Sequence, residues 1–215
     1  MRSAKSGARL LGLLALLIGC SPHPLQEPML SVARADCDAQ PDFAAALPVR
    51  IQDSQGTTVM LGAAGRCMTM PGGGATTYAV FALPDGSAPY TLEILSSVVP
   101  QTIVRPVATL YDAAGQRVRT VPPEEFEVNI EGLRAGVRPR GTERWVVVEA
   151  DQTRLGQTLQ LQLGLRDGRV QVAARVYVPI IIVPALVPDV MRQRSAIFAL
   201  NGRITVSAAP ARIAK

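Results

Sequence analysis

Histidine, lysine and aromatic side chains are scarce in this chain of 215 residues, and each scarcity removes a class of function. The one histidine, His23, stands among prolines near the start. Neither a Ser-His-Asp or Cys-His arrangement nor a histidine-based metal site can therefore be assembled in the body of the protein. Only Lys5 and Lys215 are lysines, so almost all positive charge is arginine. The formal charge of +5 includes Arg2, Lys5 and Arg9 at the very start, and without them the balance is about +2. No Lys/Arg run is interleaved with aromatics, which sets nucleic acid aside as a partner. Aromatics make up 4% of the residues, leaving few flat surfaces for stacking a sugar. Long hydrophobic runs are also missing. Leu10–Ile18 falls short of the ~20 residues a membrane helix needs. Pro179–Pro188 is strongly apolar but holds three prolines, which rule out a membrane helix and a central strand.

What the first residues do contain is a basic start, an apolar run and Leu17-Ile18-Gly19-Cys20. That is the layout of a secretory signal, and its end resembles the lipobox of bacterial lipoproteins. Residues 1–19 are expected to be removed, and Cys20 to carry the lipid through its thiol. One acyl chain binds a membrane only marginally, whereas bacterial lipoproteins generally carry more than one, which makes attachment stable. Ser21 follows the lipidated position. By resemblance to sorted lipoproteins, that places the protein on the periplasmic face of the outer membrane in a Gram-negative envelope. With Cys20 assigned to lipid, Cys37 and Cys67 remain as an even pair in an oxidising compartment. A disulfide between them would close a loop of about 30 residues, worth roughly 3–4 kcal/mol; two buried free thiols are the alternative.

Residues 20–46 mix proline, alanine and scattered polar residues without a sustained period and read as a tether, with a short helical turn near Phe43–Leu47. From there the pattern is β. Thr57–Leu61 and Cys67–Met70 are short strands, and Pro71-Gly72-Gly73-Gly74 breaks the chain. Thr76–Leu83, Tyr90–Val99 and Ile103–Tyr111 follow, with Gln116–Thr120 completing a hairpin after Asp112-Ala113-Ala114-Gly115. After Phe126–Ile130, Arg144–Ala150 is apolar on both faces, which places it centrally in a sheet. Thr158–Leu165 and Val170–Val178 flank a turn at Asp167-Gly168, and Ile197–Ser207 is the last strand, with a turn at Asn201-Gly202. Only Glu124–Phe126 and Asp189–Ser195 suggest short helices. Many short strands with regular turn signals imply an all-β protein, a single β-sandwich of antiparallel strands over 47–208, ending in a short tail at 209–215.

Chemistry is harder to find. The three glycines at 72–74 precede a strand, so they form a loop and not a phosphate cradle. Asp112, Glu124, Glu125, Glu127, Glu131, Glu143, Glu149 and Asp151 are the available carboxylates, and nothing in their spacing pairs them for acid–base work. No catalytic residue, metal site or cofactor is assigned. The one place worth naming for a ligand is Trp145 with Arg144 and Glu149, an aromatic plane beside hydrogen-bonding groups; a Trp in an apolar strand is otherwise a core residue.

One stretch carries a family pattern. Tyr78-Ala79-Val80-Phe81-Ala82-Leu83-Pro84 is followed by Tyr90-Thr91-Leu92-Glu93-Ile94-Leu95-Ser96-Ser97-Val98. Next comes Gln101-Thr102-Ile103-Val104-Arg105-Pro106-Val107-Ala108-Thr109-Leu110-Tyr111-Asp112. This resembles the maltose-operon periplasmic protein family (MalM-like): a strand ending in proline, a Thr/Leu-rich strand with Ser before Gln-Thr, then a Pro-containing strand ending in Asp. Phe126, Leu133, the 138–148 region, Pro188-Asp189-Val190 and Gly202–Val206 fit the same order, so the likeness spans roughly 45–207. The chain departs from the family in its lipobox and in stopping at Lys215 without a long Ala/Pro-rich tail. The resemblance implies a non-enzymatic accessory in maltose or maltodextrin transport and transfers no functional residue. An envelope structural or assembly lipoprotein is the alternative, binding another protein through Pro179–Pro188. Partners are thus the membrane, through the lipid, and a carbohydrate or an envelope protein.

Overall fold

Tyr90, Leu92, Ile94 and Ser96 are buried, while Thr91, Glu93, Leu95 and Ser97 between them are half-exposed. That period of two is what a strand with one face in the core requires, and it recurs through a computed structural model that describes residues 27–33, 37–51, 55–63, 66–85, 89–166, 169–177 and 192–211. In chain order the strands are β1 (Leu47–Pro48), β2 (Thr57–Leu61), β3 (Cys67–Met70), β4 (Gly74–Ala82), β5 (Tyr90–Ser97), β6 (Thr102–Ile103), β7 (Pro106–Asp112) and β8 (Arg117–Val121). They continue as β9 (Glu127–Val128), β10 (Gly132–Val137), β11 (Glu143–Ala150), β12 (Thr158–Arg166), β13 (Arg169–Tyr177), β14 (Arg192–Phe198) and β15 (Gly202–Pro210).

The protein is all-β and sandwich-like. One sheet runs β1-β4-β11-β7-β8, with β3 also paired to β4; a second runs β2-β15-β5-β10-β9; a third runs β13-β12-β14-β6. All three feed one core. Phe81, Leu110, Val146 and Val148 of the first sheet, Leu92, Ile94, Ile204 and Val206 of the second, and Leu159, Leu161 and Phe198 of the third belong to a single buried cluster. Most pairings are antiparallel, but β1 runs parallel to β4 and β6 parallel to β14. β11 lies between β4 and β7, in the central place its two apolar faces indicate.

Several expectations change. The expected strand Ile103–Tyr111 is two strands in two sheets, because the chain crosses at Val104-Arg105. Arg105 is 8% exposed and donates to Asp151 and, at 2.6 Å, to Glu124; its backbone carbonyl accepts from Asp151 N at 2.7 Å. Ile197–Ser207 divides in the same way at Ala199-Leu200-Asn201, between β14 and β15. Arg192–Ser195, part of a candidate helix, is strand, because pairing with β12 satisfies its backbone. The Glu124–Phe126 candidate is a 3-10 turn over Pro123–Glu125.

The segment expected to end a tether is not free. Asn201 is buried, accepts from Met29 N at 2.7 Å and donates to the Glu27 carbonyl at 2.9 Å, so 27–29 is docked. Residues 37–46 form a strap across the sheet. Cys37 and Cys67 are bonded, with their Cα atoms 4.8 Å apart. Asp38 then joins the edge of β3, donating to Cys67 O and accepting from Thr69 N, both at 2.9 Å. Residues 1–19, Cys20, His23 and Pro179–Pro188 lie outside the described residues.

Candidate functional site

Alternate residues of β4, β7 and β11 point away from the common core: Tyr78 and Val80, Thr109 and Tyr111, and Trp145, Val147 and Glu149. Register aligns them, with Trp145 opposite Tyr111 and Val147 opposite Thr109 and Val80. The strap covers part of this outer face. Tyr78 OH donates to Asp38 Oδ2 at 2.7 Å and accepts from Asp42 N at 3.1 Å. Asp42 caps the 3-10 turn Phe43–Ala45 by accepting from Ala44 N, and its other oxygen takes Arg66 Nη1 at 3.0 Å. Arg66 accordingly holds the Asp42 carboxyl below the usual range. The turn delivers Phe43 onto Trp145, ring centres 4.7 Å apart, and edge-on to Tyr111 at 5.2 Å. A small second core forms there from Met68, Tyr78, Val80 and Val147, with Phe43, Met70, Tyr111 and Trp145 packed on it.

The covering is incomplete. Between the strap, β3 and the β7–β8 turn a cleft of about 710 Å³ remains, lined among others by Phe43, Met68, Thr109, Tyr111, Arg117, Trp145 and Glu149. That lies within the ~300–1,000 Å³ range of small-molecule sites. The turn at its mouth is fixed by Asp112, whose Oδ1 accepts from Ala114 N and Gln116 N, each at 2.9 Å. Gly115 in that turn has φ +72°, and Phe43 stands 3.2 Å from where a Cβ would be, so glycine serves both the backbone and the packing.

Most of the sequence's carboxylates are engaged in structure. Glu143 is fully buried and accepts from Arg119 Nε at 2.8 Å and Arg140 N at 2.6 Å. Glu124 and Asp151 hold Arg105, and Asp112 fixes its turn. Glu125, Glu127 and Glu131 are exposed. Glu149 is the exception. Among the described residues it makes no hydrogen bond or ion pair, and burial pushes its carboxyl up to about 7; Arg117 opposes that rise and Asp151 adds to it. Burial and the nearby Glu149 charge also raise the Tyr111 hydroxyl.

Of the three residues singled out for a ligand, Trp145 and Glu149 share the cleft and Arg144 does not. Arg144 falls on the opposite side of β11, next to an irregularity in register between Glu143 and Trp145, and it is exposed. The cation of the site is Arg117, carried by the neighbouring hairpin. Sequence spacing does not connect it to Glu149; only the register Tyr111↔Arg117 and Trp145↔Tyr111 does. Among the described residues no group of three or more His, Cys, Asp or Glu side chains stands together as a metal cage would require.

The fold and cleft thus define a disulfide-stapled, sandwich-like β protein with a ligand-sized groove on the outside of one sheet. Comparison with protein-family models, with curated proteins and with solved structures gives no match.

Proposed function

We propose that this is a non-enzymatic lipoprotein, anchored through Cys20 on the periplasmic face of the outer membrane, that assists carbohydrate uptake by holding a maltodextrin-like sugar in the Trp145–Glu149 cleft. The observation that supports a sugar is the combination within one cleft of an aromatic cluster and a carboxyl that no group among the described residues hydrogen-bonds. Sugars offer an apolar C–H face for aromatic rings and hydroxyls for fixed polar groups. The resemblance to the maltose-operon family supports maltodextrin within that class, and the leader ending in Gly19-Cys20 supports the anchor.

Trp145 is the sole tryptophan, so its fluorescence reports on the cleft alone. Titrating maltodextrins into the full chain in detergent micelles should give saturable heat and a fluorescence change. No signal at millimolar sugar, with growth of a deletion strain on maltodextrins unchanged, contradicts the reading. Mass spectrometry of the purified product tests the anchor: a diacylglyceryl group on Cys20 and loss of residues 1–19 are expected.

A further inference from the structure

We propose that Glu149 selects the ligand of this cleft, accepting hydrogen bonds from two adjacent hydroxyls of an uncharged sugar. This rests on the sugar-binding reading above and deepens it.

Glu149 sits at the inner end of the outward row of β11, two residues beyond Val147, with Val107 of β7 and Tyr78 of β4 opposite it. An ionised carboxylate accepts hydrogen bonds and offers none, and among the described residues no protein donor reaches it. No fully buried side-chain oxygen among the described residues lacks a partner, so the Glu149 oxygens open onto the cleft and water is the donor left to them. A ligand that displaces the water must bring donors of its own, because a half-buried carboxylate left without them is costly. Vicinal hydroxyls present two O–H donors at the spacing of the two carboxylate oxygens.

Charge decides between neutral and acidic sugars. The groups facing Glu149 are few. From β8 comes Arg117, exposed and in no salt bridge among the described residues. From β7 comes the neutral Tyr111 hydroxyl, and from β4 Tyr78, whose hydroxyl is engaged by Asp38. Beyond the end of β11 stands Asp151, held by Arg105 and Thr153. β3 contributes uncharged Met68 and Thr69 to the cleft, and the strap contributes uncharged Gln40. Asp42 on the strap is turned to Arg66. The cleft therefore holds one carboxylate and one guanidinium. An acidic sugar would satisfy Arg117 while placing its own charge near Glu149; a cationic ligand would do the reverse. An uncharged polyol can donate to Glu149 and accept from Arg117 at once.

Ionisation of Glu149 then gates binding. Its carboxyl titrates near 7, so the competent, ionised fraction rises about tenfold between pH 6 and pH 8, and the affinity for a neutral sugar rises with it.

The test is a titration of the full chain in detergent micelles with a neutral maltodextrin and with an oligosaccharide of uronic acids, each at pH 6 and pH 8, read by calorimetry and Trp145 fluorescence. The expected result is about tenfold tighter maltodextrin binding at pH 8 and weaker binding of the acidic sugar at both pH values. Glu149→Gln should remove the pH dependence. Arg117→Gln should move the midpoint of the pH profile upward, because the cation that favours ionisation is gone; a purely structural role for either side chain would not move that midpoint. Maltodextrin binding that is equally tight at both pH values overturns the assignment to Glu149 while leaving sugar binding intact. Tighter binding of the acidic sugar at pH 6 overturns the neutral ligand. Absence of any binding by the wild-type chain to either sugar overturns the underlying reading and the selection by Glu149 with it.

Discussion

The two faces of the first sheet are built by alternate residues of the same three strands, yet they are completed in different ways. The inner face presents Ala79, Phe81, Ala108, Leu110, Val146 and Val148, all in the common core, closed by the other two sheets. The outer face presents Tyr78, Thr109, Tyr111, Trp145 and Glu149 among its valines, and among the described residues the strap at 37–46 lies over it. A face closed by sheets is dry and uniform. A face closed by an aperiodic strap keeps room for polar atoms and for a cleft.

Truncating the inner face should do the most damage. Phe81→Ala on the inner face should cost about 3–5 kcal/mol, as filled cores do when a large side chain is removed. Denaturant unfolding would show it as a large fall in midpoint at unchanged slope. Next in size is the staple. Replacing Cys37 and Cys67 together by serine should cost about 3 kcal/mol by freeing the unfolded chain. The outer face should suffer most: sugar binding should be lost under conditions where the sheet-rich circular dichroism remains. Full retention of binding would mean that the strap does not form a wall of the site.

Glu149 gives a smaller effect with a definite sign. Its carboxyl titrates near 7 in the folded protein against an ordinary value of 4.5. The folded state therefore holds its proton more tightly than the unfolded chain does, and stability falls as pH rises from about 4.5 to about 7. Glu149→Gln removes that slope. The variant should match the wild type near pH 4 and exceed it above pH 7 by about 3 kcal/mol. Thermal melts at pH 4, 6 and 8 check this. Smallest of all, Arg144→Ala should change stability by no more than about 0.5 kcal/mol and leave sugar binding intact, since Arg144 is exposed and lies outside the cleft.

Much of the common core is legible in the sequence, because burial on one side writes a period of two. Tyr90-Leu92-Ile94 shows it, and the doubly apolar Trp145–Val148 announces a central strand. With Cys20 set aside, Cys37 and Cys67 are the cysteines left to pair, and the bond between them is decided by the structure, not by the sequence. Where the chain changes sheet, the signal fails. Ile103–Tyr111 is apolar throughout, and nothing in its periodicity marks the crossing at Val104-Arg105. β10, with its Leu133, Ala135 and Val137 directed inward, is too short and too rich in glycine and arginine to stand out. The strap has no period because it is neither helix nor strand; its order comes from Tyr78, Arg66 and the disulfide, all distant in sequence. The site was half legible for the same reason. Trp145 and Glu149 share a strand and a face, so spacing joins them. Arg117, from the adjacent hairpin, becomes visible only with the register, and sequence proximity suggests Arg144 in its place.

The outer face carries a half-buried carboxyl, Glu149, for which we propose sugar hydroxyls as partners. Carbon-13 NMR of glutamate-labelled full chain in micelles, titrated with and without saturating maltodextrin, tests it at the atom concerned. The Glu149 carboxyl should titrate near 7 in the free protein and at a lower pH with sugar bound, since a ligand that prefers the ionised form must favour it. A midpoint near 4.5 that sugar does not move would mean that Glu149 is neither shielded from water nor in contact with the sugar.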